Sequence, residues 1–325
     1  MTYCCFMSYF VPLAFLASTV ASQAEPVGFH EALRAADTRL AAIGHRLATA
    51  NVSLCDRVQP ATGVVVHALG QYGAVGREAA RQAFGFDTPV AIEAVVPAAP
   101  ADRAGVRPDE GLTAVDGVVL DGGGEGTVDR DQALDLLERG DSDAPMRLTL
   151  RQRDVTRTVK VTPVPACRAR FELLLGRGAF AGSDGRVVHL GERFFERYRD
   201  EEIAVVVAHE LAHVILRHPD RLTAAKVDRG MLRELGRNGR LFRRTEGEAD
   251  ELGVHLLANA GYDPLSAARF WRERGGDLDA GVFRARTHPS SRARAKAIEA
   301  IAASIPARPK PTRPALLFSR DEPLD

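Results

Sequence analysis

His209, Glu210 and His213 stand within Asp200–Pro219 (DEEIAVVVAHELAHVILRHP) in the spacing HExxH. On an α-helix, residues four apart sit one above the other. Two imidazoles can then reach one metal ion, while Glu210 projects beside them, placed to activate a water molecule. A catalytic zinc takes three protein ligands and keeps one position open, so a third ligand is expected elsewhere in the chain. Arg244-Thr245-Glu246-Gly247-Glu248-Ala249-Asp250 supplies the candidates. Glu246 and Asp250 are four apart and share a helix face, with the small Ala249 and Gly253 beside them to allow a close approach to the first helix. Glu246 is read as the ligand and Asp250 as the group that orients a ligating histidine. Glu248 lies off that face and reads as a solvated charge.

The elements that must hold these groups are marked by their ends. Asp200, Glu201 and Glu202 form the acidic first turn that a helix N-terminus favours, and Pro219 stops the helix one residue past His218. The run between is almost wholly apolar, which fits a buried helix better than a strand at this length. Two histidines and a carboxylate in such a helix would be costly to desolvate without a partner. His218 reads as a favourable cation at the helix C-terminus. A second helix opens at Arg244 and runs to about Asn259. His30, His45, His67, His189 and His255 are read as bystanders.

In order, HELAHVILRH, EGEAD, Ala260-Gly261-Tyr262-Asp263-Pro264 and Thr287-His288-Pro289 resemble the motifs of the CAAX-prenyl-protease and HtpX-like zinc metallopeptidases (metallopeptidase family 48, gluzincins). The resemblance covers about Phe171 to Ile298 and is closest to the soluble periplasmic members. It implies Zn2+ as cofactor and Glu246 rather than Glu248 as ligand, on the family's ExxxD pattern. It also places His288 and Arg294 near the metal, gating the site or steadying an oxyanion. It implies that Arg186–Leu190 borders the cleft and pairs with substrate backbone. Substrates would be proteins or peptides, in the quality control of envelope proteins. The rival expectation is a peptide-binding, chaperone-like protein whose proteolysis is slight or latent.

Upstream, Val90–Val96, the run Pro100–Pro108, Gly111-Leu112-Thr113-Ala114-Val115-Asp116-Gly117, a helix Asp129–Arg139 and a hairpin of Met146–Gln152 and Val155–Val161 resemble a PDZ domain over about Arg57–Pro163. Such a domain adds an extended peptide as a strand beside its helix. The expected architecture is α+β: a helical segment 25–56, a PDZ-like β-sandwich domain 57–163, and a mainly helical metallopeptidase domain 164–304 with a small sheet. The Pro-rich 305–325 is expected to be disordered.

Lys+Arg and Asp+Glu balance at 43 each, with no basic stripe, so nothing points to nucleic acid. An apolar run from about Phe6 to Ala17, followed by Ser22-Gln23-Ala24, reads as a signal peptide cleaved near Ala24 and a periplasmic or otherwise exported protein. An uncleaved N-terminal membrane anchor is the alternative, and contact with the membrane or with envelope proteins would follow from either. Cys4 and Cys5 would leave with the signal. Cys55 and Cys167 remain, and two cysteines in an exported chain suggest one disulfide.

Overall fold

The computed structural model of the chain describes residues 28–227, 236–278, 290–306 and 311–324; the expected signal segment and His288 lie outside them. The chain begins with α1 (Phe29–Ala50), whose Leu40, Ile43 and Leu47 are at most 4% exposed. A short 3-10 turn follows, then β1 (Val58–Ala61), β2 (Val64–Ala68), α2 (Gly73–Phe84), β3 (Val90–Val95), α3 (Pro100–Arg103), β4 (Gly111–Val115) and the two-residue β5 (Val118–Val119). Next come α4 (Val128–Leu137), β6 (Met146–Gln152), β7 (Val155–Val161) and β8 (Val164–Cys167). The second half holds β9 (Arg170–Leu174), β10 (Ala181–Ser183), β11 (Val187–Gly191), α5 (Arg193–Arg197), α6 (Asp200–Ile215), α7 (His218–Ala224), α8 (Gly236–Asn259), α9 (Leu265–Leu278) and α10 (Ser291–Ser304). This is a mixed α+β chain.

Two cores divide it. The larger gathers α1, β11, α6, α8, α9 and α10 around Leu47, Phe194, Ile203, Leu211, Leu252 and Trp271. The smaller lies between α4 and a single antiparallel sheet of order β2-β3-β4-β6-β7, with β5 paired to β4. One sheet closed over by a helix differs from the two stacked sheets that a β-sandwich implies.

The helical segment expected at 25–56 belongs to the larger core through α1. It packs into the larger core so closely that a Cβ on Gly44 would meet the Phe171 ring at 2.5 Å. Burying Leu40, Ile43 and Leu47 contributes about 1.5–3 kcal/mol each. Residues 57–163 are therefore an insert between α1 and the rest of its own core. The neck of the insert is a two-stranded ribbon, β1 antiparallel to β8, with Val58 opposite Cys167. Cys55 and Cys167 are disulfide-bonded there, Cα atoms 5.5 Å apart and 112 residues apart in sequence. Closing a loop of that size removes unfolded-state entropy worth about 4–5 kcal/mol in the chain-entropy account.

Two more expectations are corrected. The strand expected to meet substrate, β11, is the middle strand of a sheet ordered β10-β11-β9. Its backbone is committed on both sides, antiparallel to β10 and parallel to β9, so an added strand must use another edge. The tail is also ordered over residues 311–324. Leu317 is buried in the larger core, Leu324 packs with Leu222, Val227 and Leu241, and the backbone N–H of Thr312 donates to Asn259 at 2.7 Å. Arg217 and Arg320 add ion pairs that fasten this segment to Asp56 near the neck.

Candidate metal centre

α6 forms where the acidic first turn sits. The Arg199 backbone N–H donates to the Glu202 carboxylate at 2.9 Å, and that carboxylate also accepts from Arg274 at 3.0 Å. The helix is apolar all round and buried all round. It ends at Ile215; Arg217 turns left-handed with φ 54°, and His218-Pro219 open α7 instead of closing α6. α8 crosses α6 with Ala249 fully buried and Gly253 against His209. A Cβ at Gly253 would lie 3.5 Å from the His209 Cα, an ordinary contact, so alanine would just fit.

That crossing brings His209, His213 and Glu246 to one point. His209 Nε2 is 3.2 Å from His213 Nε2 and 3.2 Å from Glu246 Oε2, and His213 Nε2 is 3.5 Å from Glu246 Oε1. A tetrahedral zinc with ligands at about 2.0–2.1 Å has ligand–ligand edges of about 3.3 Å. Two imidazole nitrogens and a carboxylate at that spacing fit zinc, and these three are the group of His, Cys, Asp or Glu side chains among the described residues able to hold a metal ion. Glu210, 5% exposed, follows His209 directly on α6.

Each histidine is held from behind. His209 Nδ1 is 3.1 Å from Asp250 Oδ1, and Asp250 accepts from Arg294 Nε at 2.8 Å and Nη2 at 2.5 Å. Burial acts to depress His209, but Asp250 and Glu246 outweigh it and hold its pKa up at about 10. Burial would likewise raise Asp250, but Arg294 and His209 beside it hold the carboxyl at about 2. A pocket with that charge holds a cation, a proton or a metal.

Arg294 is placed differently from the expected oxyanion role. It is 2% exposed, stacked 3.5 Å from the Trp271 ring centroid, with its fork engaged by Asp250 on the Nδ1 side of His209. There it fixes Asp250 rather than facing a substrate carbonyl. His288, the other residue expected near the metal, lies outside the described residues.

The second support was not legible in the sequence. His213 Nδ1 lies 2.9 Å from His218 Nδ1, and His218 Nε2 lies 3.1 Å from Glu248 Oε2. Glu248 also accepts from Arg221 Nη1 at 2.9 Å and Arg244 Nε at 2.8 Å. With Nε2 of His213 turned to the metal, its Nδ1–H donates to His218, whose Nε2–H donates to Glu248. Burial depresses His218 to about 4, so it serves as a neutral ring, and Glu248 is held at about 2 by His218 and its arginines despite burial. Glu248 is thus a bound anchor, not a solvated charge, and fully buried His218 is not a helix-end cation. The spacing of His218, five after His213, was the available signal. A continuous helix would send it to another face, and the left-handed turn at Arg217 returns it.

Partners that orient a metal ligand are worth about 10- to 100-fold in metal affinity. Glu248→Gln is therefore expected to weaken zinc binding by about that factor in competition with a chromophoric chelator. Unchanged affinity would remove Glu248 from the support of His213.

The other described histidines stay away from this site. His67 is 2% exposed among Tyr72, Phe84 and Phe86, and burial depresses it to about 3. His255 bonds Thr312 at 2.7 Å, and His189 lies 4.0 Å from Glu172. His30, a bystander as read from the sequence, is 6% exposed against Phe84.

Comparison with known proteins follows the same ground. Residues 237–302, which carry Glu246, Asp250 and Arg294, match the model of Peptidase family M48. Residues 152–265, which carry His209, Glu210 and His213, match a model described as "Putative metallopeptidase domain". Each match spans less than half of the chain. The mitochondrial metalloendopeptidase OMA1 of Schizosaccharomyces pombe is 32% identical over 121 residues, covering 31% of this chain and 36% of that protein. The chain therefore spans about a third of the length of that relative.

Proposed function

We propose that the chain is a zinc-dependent endopeptidase of the M48 type, with Zn2+ held by His209, His213 and Glu246. The observation that carries the reading is the triangle of ligand atoms at 3.2, 3.2 and 3.5 Å, with Glu210 beside it. Zinc in that position supplies Lewis acidity toward a scissile carbonyl and toward water. Glu210 accepts the proton of the attacking water and returns it to the leaving amine. Asp250 with Arg294, and His218 with Glu248, keep the two imidazoles in the tautomer that turns Nε2 to the metal.

The insert supports substrate docking. Its strand and helix order resembles a PDZ domain, and β2 is the last strand of its sheet, with α4 alongside. An extended segment of a protein substrate adds to that edge, away from the reacting bond. The protein works in the periplasm or another exported compartment, on unfolded or misassembled envelope proteins. The Cys55–Cys167 bond suits such an oxidising place. No helix among the described residues is long and apolar enough to cross a membrane.

Incubation with an unfolded protein such as reduced, alkylated casein tests the reading. Cleavage is expected, its loss on treatment with a zinc chelator, and its return on adding zinc. A zinc-loaded protein that binds casein and leaves it intact would favour the peptide-binding, chaperone-like alternative.

A further inference from the structure

A cavity of about 400 Å³ lies where the insert meets the metallopeptidase core. That volume is ordinary for a ligand site. It is lined by consecutive residues 63–67 of β2 and its approach, and by 169–173 of β9 and its approach. Side chains alternate along a strand, so a cavity on one face touches every second residue. Contact with successive residues means that the cavity meets both strands edge-on. β2 and β9 are each the last strand of their sheet among the described residues, so both edges lack a strand partner there. α4 and one stripe of α1 (Leu33, Asp37, Ala41, His45) complete the walls.

The charges in the wall are uneven. Glu138 is tied to Arg170 and Arg186, and Glu172 to Arg130. Asp37, on α1, and Glu93, on β3, have no such ion pair among the described residues; their carboxyls lie within hydrogen-bonding reach of each other. Glu93 is 5% exposed, and its Oε1 finds no hydrogen-bond partner among the described residues. Burial, then the neighbouring Glu93, pushes Asp37 well above the ordinary carboxylate range against the pull of Arg130, and burial raises Glu93 to about 7 against Arg34 and Arg130. Two neighbouring carboxyls resist ionising together, and Arg130 near both and Arg34 near Glu93 offset this only in part, since Arg130 is paired to Glu172 and Arg34 to Asp109. His67, neutral through burial, adds no positive charge.

We propose that this cavity binds an extended protein segment carrying a lysine or arginine, whose backbone adds to the edge of β2 and whose cationic head is received by Asp37 and Glu93. The apolar part of the wall suits the long methylene stem of such a side chain, and the acid pair, half-buried Asp37 and buried Glu93, supplies the counter-charge. The occupant is an unfolded substrate, held at a site distinct from the bond being cut. The inference rests on the docking reading of the insert and not on the metal chemistry.

The test uses the full chain with Glu210→Gln, so that peptides survive. Binding of two labelled, extended hexapeptides is followed by fluorescence anisotropy; they are identical except for one arginine replaced by norleucine, which keeps the stem and drops the charge. The arginine peptide is expected to bind at least about tenfold more tightly, a difference of about 1.4 kcal/mol. Asp37→Asn with Glu93→Gln should bring the arginine peptide down to the norleucine affinity. Ala41→Trp, which fills the cavity from α1, should abolish binding of both. Equal affinities in the parent overturn the charge selection and leave docking standing. No binding of either peptide overturns both. A preference that survives in the Asn/Gln variant, or binding that survives Ala41→Trp, places the cation elsewhere and overturns the proposal.

Discussion

Glu210→Gln should yield a protein that keeps its metal and loses at least about a hundredfold in turnover, the usual range for removing a positioned general base being about 10²–10⁴-fold. Glutamine has the shape of glutamate and can neither take a proton from water nor hand one to an amine. The ligands are on other side chains: His209, His213 and Glu246 meet at one point, and nothing in that triangle uses the Glu210 carboxylate. Zinc content should therefore stay at about one per chain while casein cleavage collapses. KM should change little, because the loss falls on the transition state rather than on ground-state binding. Retention of more than a tenth of wild-type turnover would mean that another group does the proton transfer.

His209→Ala, His213→Ala and Glu246→Ala should each remove both metal and activity. The proposed ion has three protein ligands, and an open site with two falls well short in affinity. The variants differ in what they leave behind. His209→Ala strands Asp250 and Arg294, both largely buried, with one polar partner fewer, so it should also lower stability. Glu246 is no more exposed, at 12% of its side chain, and its loss leaves His209 and His213 each with one partner fewer. Binding to the folded state alone stabilises it. Chelation should accordingly lower the Tm of the wild type and leave the Tm of Glu246→Ala where it was. A chelator-induced shift in Glu246→Ala equal to that in the wild type would show that the ion is held without it.

What could be read from the residues is what rests on helical period. The i, i+4 pairs His209/His213 and Glu246/Asp250 each define a face from sequence alone, and small Ala249 and Gly253 announce the close crossing that joins the faces. The supports at His218 and Glu248 depend on a left-handed Arg217, a conformation that no residue preference signals. A non-glycine residue there is held by its ion pairs with Asp56 and Asp321, which come from distant parts of the chain. Arg294 was placed near the metal through a motif, but its direction is set by Trp271 on α9 and Asp250 on α8, and periodicity carries no such information.

Long-range pairing was also hidden. α1 shows a helical stripe, yet nothing in that stripe says whether it packs on the insert or on the core beyond it. Pairing of β1 with β8 across the whole insert decides this, and such contacts leave no local trace. The tail misled by composition: Pro306, Pro309, Pro311 and Pro314 suggested disorder, while Leu317 and Leu324 supply the burial that holds residues 311–324 in place. β11 was expected, from the resemblance, to pair with substrate backbone, and strand order within a sheet is not written along one strand.

Diffraction at the zinc absorption edge on crystals of the wild-type chain tests the central claim most directly, because it locates the ion. One anomalous peak is expected, about 2.0–2.2 Å from His209 Nε2, His213 Nε2 and a Glu246 carboxylate oxygen. A peak at His218 and Glu248, or none between α6 and α8 in zinc-loaded crystals, would contradict it.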